Sequence, residues 1–332
     1  MQNVSIIGLG LIGGSIGLAL RRWSQENGGA LRIVGYDEDM DKQTRAKRMD
    51  AVDATEWSLN RAVEDADIVI VATPVGAMST VFELIGPNLK QGAVVTDTGS
   101  TKADVLEAAK VLPSHVSFVG GHPMAGKSES LEAADADLFK GATWVICPSL
   151  TASESAIQSV IGIVVAAGAE AYMPDPVEHD SYVAGVSHLP FMVAATLVNT
   201  VSKDQSWRDM RTLAASGFRD TTRLALGSPV MHRDILLANR VAAIRWIDQF
   251  TAELGDMRAL LAENTETTGQ QIHDYLTRAQ DERAKIEATV RRSDEQATPG
   301  SESLANQSVG DQVGRMFLGG FGRKKRDDRP ER

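Results

Sequence analysis

Gly8, Gly10 and Gly13 stand in the spacing G-x-G-x-x-G, between an apolar run at residues 4–7 and a helix-forming run at residues 15–22. A lone glycine pattern constrains little, but here its context is present. A second apolar run, residues 33–36, ends in Asp37, 24 positions beyond Gly13. Strand, glycine turn, helix, strand and acid in that order predict the first unit of a dinucleotide-binding α/β domain. Gly8 permits the tight turn, Gly10 lets a pyrophosphate approach the backbone, and Gly13 lets helix pack on strand. The helix N-terminus then offers its positive dipole to the phosphates. Gly8, Leu9, Gly10, Leu11, Ile12 and Gly13 are therefore the expected phosphate-binding turn. Asp37 suits both ribose hydroxyls and would repel a 2′-phosphate, and Glu38, Asp39 and Asp41 follow with no arginine adjacent. NAD is expected over NADP. A secretory leader is the poorer reading, because no Lys or Arg precedes the run and five glycines interrupt residues 4–20.

The alternation continues, with strands expected at residues 68–72, 93–96, 116–119, 142–146 and 169–173, and helices at 39–49, 75–85, 102–110 and 153–167. The unbroken run Ile68-Val69-Ile70-Val71-Ala72 reads as a strand covered on both faces of a parallel sheet. Thr73 and Pro74 close it at the edge where open α/β sheets hold their ligands, so both are expected to border the cofactor. From about Asp175 the strands stop and helical patterns take over, at 180–200, 206–215, 230–264 and 270–291. The division is a doubly wound, mostly parallel α/β domain over 1–173, an all-helical domain over 174–291, and a tail over 292–332. The tail reads as disordered, being rich in Ser, Gln, Gly, Asp and Glu. The helical faces must bury against each other or against a second copy. A helix spanning 230–264 exceeds the usual globular length, which points to a break or a dimer contact. Late in the tail an apolar run at 313–318 precedes Arg323-Lys324-Lys325-Arg326, which reads as a solvated end rather than a membrane or partner contact.

A chain of 332 residues can build two cores. Its net charge of −10 argues against a nucleic-acid partner held through phosphates, so a small anionic substrate needs a local group of cations. Cys147, the one cysteine, excludes an internal disulfide and a cysteine-built metal site and suits a reducing cytoplasm. Within Trp144-Val145-Ile146-Cys147 it reads as a buried strand thiol rather than a nucleophile. The longest apolar run, residues 160–169, is too short to span a bilayer.

Chemistry-bearing residues follow the middle strands. In Asp97-Thr98-Gly99-Ser100-Thr101-Lys102, Ser100 or Thr101 can cap a helix, and a capping loop at a strand end also lies in the crevice, with Gly99 beside the cofactor. In Gly120-Gly121-His122-Pro123-Met124-Ala125-Gly126, two glycines and a proline fix the backbone around His122, a residue able to exchange a proton with substrate. His188, in Gly185-Val186-Ser187-His188-Leu189-Pro190, opens a helix and either packs there or faces the ligand. Arg219 and Arg223, in Gly217-Phe218-Arg219-Asp220-Thr221-Thr222-Arg223, are four apart and suited to grip a carboxylate; the alternative is a surface ion pair of Arg219 with Asp220.

These motifs in this order resemble the prephenate dehydrogenase family, including its arogenate-using members, from residue 1 to about 291. The resemblance implies an NAD(P)-dependent oxidative decarboxylation giving 4-hydroxyphenylpyruvate or tyrosine. It also implies a Rossmann domain followed by a helical dimerisation domain, in a homodimer. By motif position, His122 would hydrogen-bond the substrate's ring hydroxyl, Ser100 would assist it, His188 would lie in the substrate pocket, and Arg223, near Arg219, would bind a carboxylate. The chemistry fits: hydride leaves the hydroxyl-bearing carbon, the hydroxyl proton goes to a neutral imidazole, and loss of carbon dioxide makes the ring aromatic. No metal is required. After Gly126 the family commonly continues Thr-Glu-Lys-Ser-Gly, whereas this chain has Lys127-Ser128-Glu129-Ser130-Leu131 and is one residue shorter. That loop leaves the choice between prephenate and arogenate open. Hydroxyacid dehydrogenases and imine reductases share the layout but leave His122 and Arg223 without a common purpose. A dinucleotide-sensing regulatory protein would need neither.

Overall fold

A computed structural model describes residues 1–29, 31–126 and 130–296; the altered loop at 127–129 and the tail beyond 296, with its apolar and basic runs, lie outside the described residues. The first half runs β1 (Gln2–Ile7), α1 (Leu11–Glu26), β2 (Leu31–Tyr36), α2 (Met40–Arg48), β3 (Ala54–Thr55), α3 (Leu59–Val63), β4 (Ile68–Val71) and α4 (Met78–Ile85). It continues with β5 (Val94–Asp97), α5 (Ala103–Ala108), β6 (Ser117–Pro123), β7 (Thr143–Pro148), α6 (Glu154–Ala166) and β8 (Glu170–Tyr172). All eight strands form one sheet in the order β3-β2-β1-β4-β5-β6-β7-β8. Only the β6–β7 pairing is antiparallel, so β7 and β8 run against the other six. The order reverses direction at β1, where β2 flanks one side and β4 the other, and ligands bind open sheets at such a switch point.

Alternate residues of a strand face opposite sides, and each side of this sheet has its own core. Ile6, Ile68 and Ile70 join Ile16 and Leu20 of α1 and Ile163 of α6, while Ile7, Val69 and Val71 join Phe82 of α4 and Phe118. That double covering is why residues 68–71 are apolar without interruption.

The second half is helical: α7 (Pro176–Val183), a π turn (Ala184–His188), α8 (Leu189–Val201), α9 (Trp207–Met210), α10 (Ser216–Thr222), α11 (Pro229–Ala238), α12 (Arg240–Glu263) and α13 (Thr268–Gln296). Pro176 opens α7 and the Asp175 carboxylate caps it, accepting from the Val177 and Glu178 amides. The pattern at 230–264 breaks at the buried Asn239, between α11 and α12. The helix expected to end at 291 continues to Gln296, because Ser293 to Gln296 add neither glycine nor proline to stop it. Residues Pro176–Val201 form a continuous helical run of 26 residues, long and apolar enough to cross a membrane by composition. Its length comes from the π turn that joins α7 to α8. The buried His179, Asp180 and His188 on it make polar bonds to the rest of the chain.

Candidate active site

The glycine turn has the shape a dinucleotide needs. Gly8 has φ +97°, and a Cβ there would lie 2.6 Å from the Ala72 carbonyl oxygen; a Cβ on Gly13 would lie 2.0 Å from the Gly8 oxygen. Both glycines are therefore demanded by the protein itself. A Cβ on Gly10, in contrast, would meet nothing within 4 Å. Gly10 is the N-cap of α1 and supplies no side-chain cap, and the amides of Leu11, Ile12 and Gly13, in the first turn beside it, have no acceptor among the described residues. A pyrophosphate fits there. The Leu9 amide is already committed, donating to Asp37 Oδ2 at 2.8 Å, and the Leu9 and Leu11 side chains are buried in the core. Asp37 thus ties β2 to the turn. Its Oδ1 accepts from the Asp39 amide at 3.0 Å, and Lys42 Nζ stands 3.6 Å away, a cation the sequence reading did not weigh.

Thr73, just past β4, holds a buried Oγ1 without a partner among the described residues, and the exposed Pro74 precedes a short 3₁₀ turn, Val75–Ala77. Within that turn Gly76 backs onto Asp234 of α11, where a Cβ would lie 2.5 Å from Oδ2, so the helical half abuts this edge. Gly99, expected beside the cofactor, follows β5 at the same sheet edge, and its amide donates to Asp97 Oδ2 at 2.7 Å.

The loop after β5 is organised by a fully buried ion pair. Lys102 Nζ donates to Asp97 Oδ2 and, at 2.6 Å, to the Gly121 carbonyl oxygen, while the Gly121 amide donates to Asp97 Oδ1 at 3.0 Å. A side chain at Gly121 would begin 2.5 Å from the Asp97 carbonyl oxygen. The pair therefore clamps β5 to β6 immediately before His122. Neither Ser100 nor Thr101 caps α5, as the sequence suggested. Asp180 of α7 does so from the helical half, accepting from the Lys102 and Ala103 amides at 2.7 and 2.9 Å. Ser100 is half-buried and makes no hydrogen bond among the described residues, which leaves its hydroxyl available to a ligand.

His122 lies near the C-terminal end of β6, on the same sheet edge as the glycine turn, since β1, β4, β5 and β6 are parallel. It is buried, and its Nδ1 is 2.9 Å from His179 Nε2, whose own Nδ1 is 2.8 Å from Asp180 Oδ1. Burial pushes its pKa well below the usual histidine value, and the nearby Lys102, His179 and His188 add to the effect. His122 is therefore a neutral imidazole, and its Nε2 has no partner among the described residues.

His188 closes the π turn, a distortion that recurs at functional sites. It is fully buried, and burial lowers its pKa to about 4, with Asp180 opposing and His179 and His232 assisting. Asn239 Nδ2 donates to the Asp180 carbonyl oxygen at 2.6 Å and stands 3.3 Å from His188 Nδ1. Because the carbonyl can only accept, the amide group must point this way, and His188 Nδ1 accepts. That leaves Nε2–H as a donor, and Nε2 is buried without a partner among the described residues.

Two separate halves of the chain match family models: the prephenate dehydrogenase nucleotide-binding domain over residues 16–173 and the prephenate dehydrogenase dimerization domain over residues 175–278. A prephenate dehydrogenase of Bacillus subtilis is 34% identical over 286 residues, which is 85% of this chain and 75% of the relative. The chain belongs to the prephenate dehydrogenase family. Among solved structures of the family, prephenate dehydrogenase from A. aeolicus in complex with hydroxyphenyl propionate and NAD+ is 30% identical, with a TM-score of 0.79 over 86% of this chain and 98% of that one. Synechocystis arogenate dehydrogenase is 27% identical, with a TM-score of 0.71 over 86% of this chain and all of that one.

Arg219 in α10 and Arg223 just after it are exposed, and their side chains make no hydrogen bond or ion pair among the described residues, so the pair of Arg219 with Asp220 does not form. No hydrogen bond joins either arginine to Ser100, His122 or His188. The sequence reading missed His179, Asp180 and Asn239 and gave Asp97 and Lys102 no role. An adjacent His–Asp pair at the start of the helix expected over 180–200 was the available signal. Asn239 had none, because only the fold brings it to Asp180. Cys147 is buried as expected, with its thiol pushed up to about 12 by burial.

Proposed function

We infer that this chain oxidises prephenate with NAD, releasing carbon dioxide and 4-hydroxyphenylpyruvate on the way to tyrosine. The observation that carries the reading is the buried, neutral His122 at the strand edge that also holds the glycine turn. Bound NAD takes the hydride from the hydroxyl-bearing ring carbon. His122 Nε2 accepts the hydroxyl proton, breaking O–H and forming N–H, and returns it to the same oxygen as loss of carbon dioxide makes the ring aromatic, while Ser100 Oγ supports that oxygen. His188 Nε2–H donates to a substrate oxygen. Arg223, unpaired and exposed, holds a carboxylate at a distance from the reacting carbon, with Arg219 beside it. Leu11, Ile12 and Gly13 amides hold the pyrophosphate, Asp37 the ribose, and Thr73 and Pro74 border the nicotinamide half.

The protein works as a homodimer in the cytoplasm. In support, the helical half exposes Leu237, Val241, Ile244, Ile247, Leu254 and Leu261, an apolar surface suited to a second copy. Purified protein given prephenate and NAD should yield reduced cofactor, carbon dioxide and 4-hydroxyphenylpyruvate in equal amounts. A higher kcat/KM for arogenate would move the reading to tyrosine as product, and turnover of neither would overturn it.

A further inference from the structure

Asp180 sets a chain of proton positions that ends at His122. Its carboxylate receives the Lys102 and Ala103 amides and faces His179 Nδ1 at 2.8 Å. An ionised carboxylate only accepts, so His179 Nδ1 carries a proton. A neutral His179 then has a lone pair on Nε2, 2.9 Å from His122 Nδ1, with the two rings nearly perpendicular at 86°. His122 must donate across that contact. Its proton is therefore on Nδ1 and its lone pair on Nε2, the reverse of the tautomer that dominates for neutral histidine in water.

We propose that His179, oriented by Asp180, is the positioning residue that holds His122 as the Nδ1–H tautomer and so makes Nε2 the proton acceptor. When His122 Nε2 takes the hydroxyl proton, the bond from its Nδ1–H to His179 becomes charge-assisted, and the Asp180 carboxylate balances the new charge through the His179 ring. No proton leaves His122 for His179. Among the described residues around His122 the charged and titratable groups are Asp97 from β5 with its partner Lys102 at the start of α5, His179 and Asp180 from α7, and His188 from the π turn. Asp180 also caps α5, so the helical half must be seated on the cofactor half for the base to be set. The identity of the proton taken rests on the reaction proposed above, but the tautomer does not.

The test is a long-range nitrogen–proton NMR spectrum of the full chain labelled with ¹⁵N-histidine, at pH 8 without substrate, with the His122 signals assigned by their loss in His122→Asn. The expected result is an Nδ1–H pattern for His122 in the parent, reverting to Nε2–H or a mixture in His179→Leu. With prephenate, His179→Leu should lower kcat about 10²-fold or more, with KM and NAD affinity within about twofold. His179→Gln, whose carbonyl can accept from His122 and whose amide can donate to Asp180, should recover part of that loss. An Nε2–H pattern for His122 in the parent overturns the proposal even if His179→Leu does not fold. An unchanged tautomer in a folded His179→Leu overturns it as well. A parent with the Nδ1–H pattern but no turnover of prephenate would leave the proposal standing and sink the assigned reaction instead.

Discussion

Alanine at Gly10 and alanine at Gly13 should have opposite consequences, because the protein fills one position and leaves the other open. At Gly13 a methyl group would sit 2.0 Å from the Gly8 carbonyl oxygen, a backbone atom fixed by the turn. Relief requires α1 to lift from β1, and forced overpacking costs about 1–3 kcal/mol or more. At Gly10 nothing lies within 4 Å of the new methyl, and φ −85°, ψ −162° is open to alanine. The unfolded chain loses freedom there, so folding gains about 0.4–1 kcal/mol, a rise of about 1–4 °C in Tm. The same methyl enters the space beside the Leu11 and Ile12 amides. Losing one hydrogen bond to a charged phosphate, about 1.5–3 kcal/mol, weakens NAD binding by about 10- to 100-fold. Thermal unfolding and calorimetric titration with NAD read the two effects separately. A Gly10→Ala protein that binds NAD like the parent would refute the reasoning, as would a Gly13→Ala protein with an unchanged Tm.

Lys102→Met strands the Asp97 carboxylate in the core with only the Gly99 and Gly121 amides, and should cost about 3–5 kcal/mol in urea unfolding; a loss under about 1 kcal/mol contradicts the buried clamp. Folded His188 titrates near 4 and His122 well below 6.5, so between those values the unfolded chain binds more protons. The stability contributed by the neutral rings is complete above about pH 6.5 and is lost as pH falls toward 4, about 3 kcal/mol of it through His188. A urea midpoint constant from pH 7.5 to 4.5 would contradict this. For the same reason the acidic limb of kcat/KM should lie below pH 6.5, and a limb at or above that value would mean a different base.

The sheet domain was legible because its signals are local. Gly8 to Gly13, the apolar run at 68–71 and Asp37 each fix one step of the chain, and the structure places them around one switch point. His122 could be singled out because a strand end and two glycines restrict it. His179 and Asp180 could not, since their meaning depends on α7 reaching α5 across 77 and 78 positions of sequence. The break at Asn239 was foreseen only as a length problem; its cause is a side chain bonded to Asp180, 59 positions earlier. Caps expected from Ser100 or Thr101 failed for the same reason, a stronger acceptor arriving from another part of the chain.

In the proposed reaction His122 takes the ring hydroxyl's proton while NAD takes the hydride. Turnover of prephenate by His122→Asn, measured beside an NAD titration of the same protein, tests it most directly. Unchanged NAD affinity with kcat lowered by about 10² to 10⁴ is the expected result. Turnover within a few-fold of the parent would contradict it.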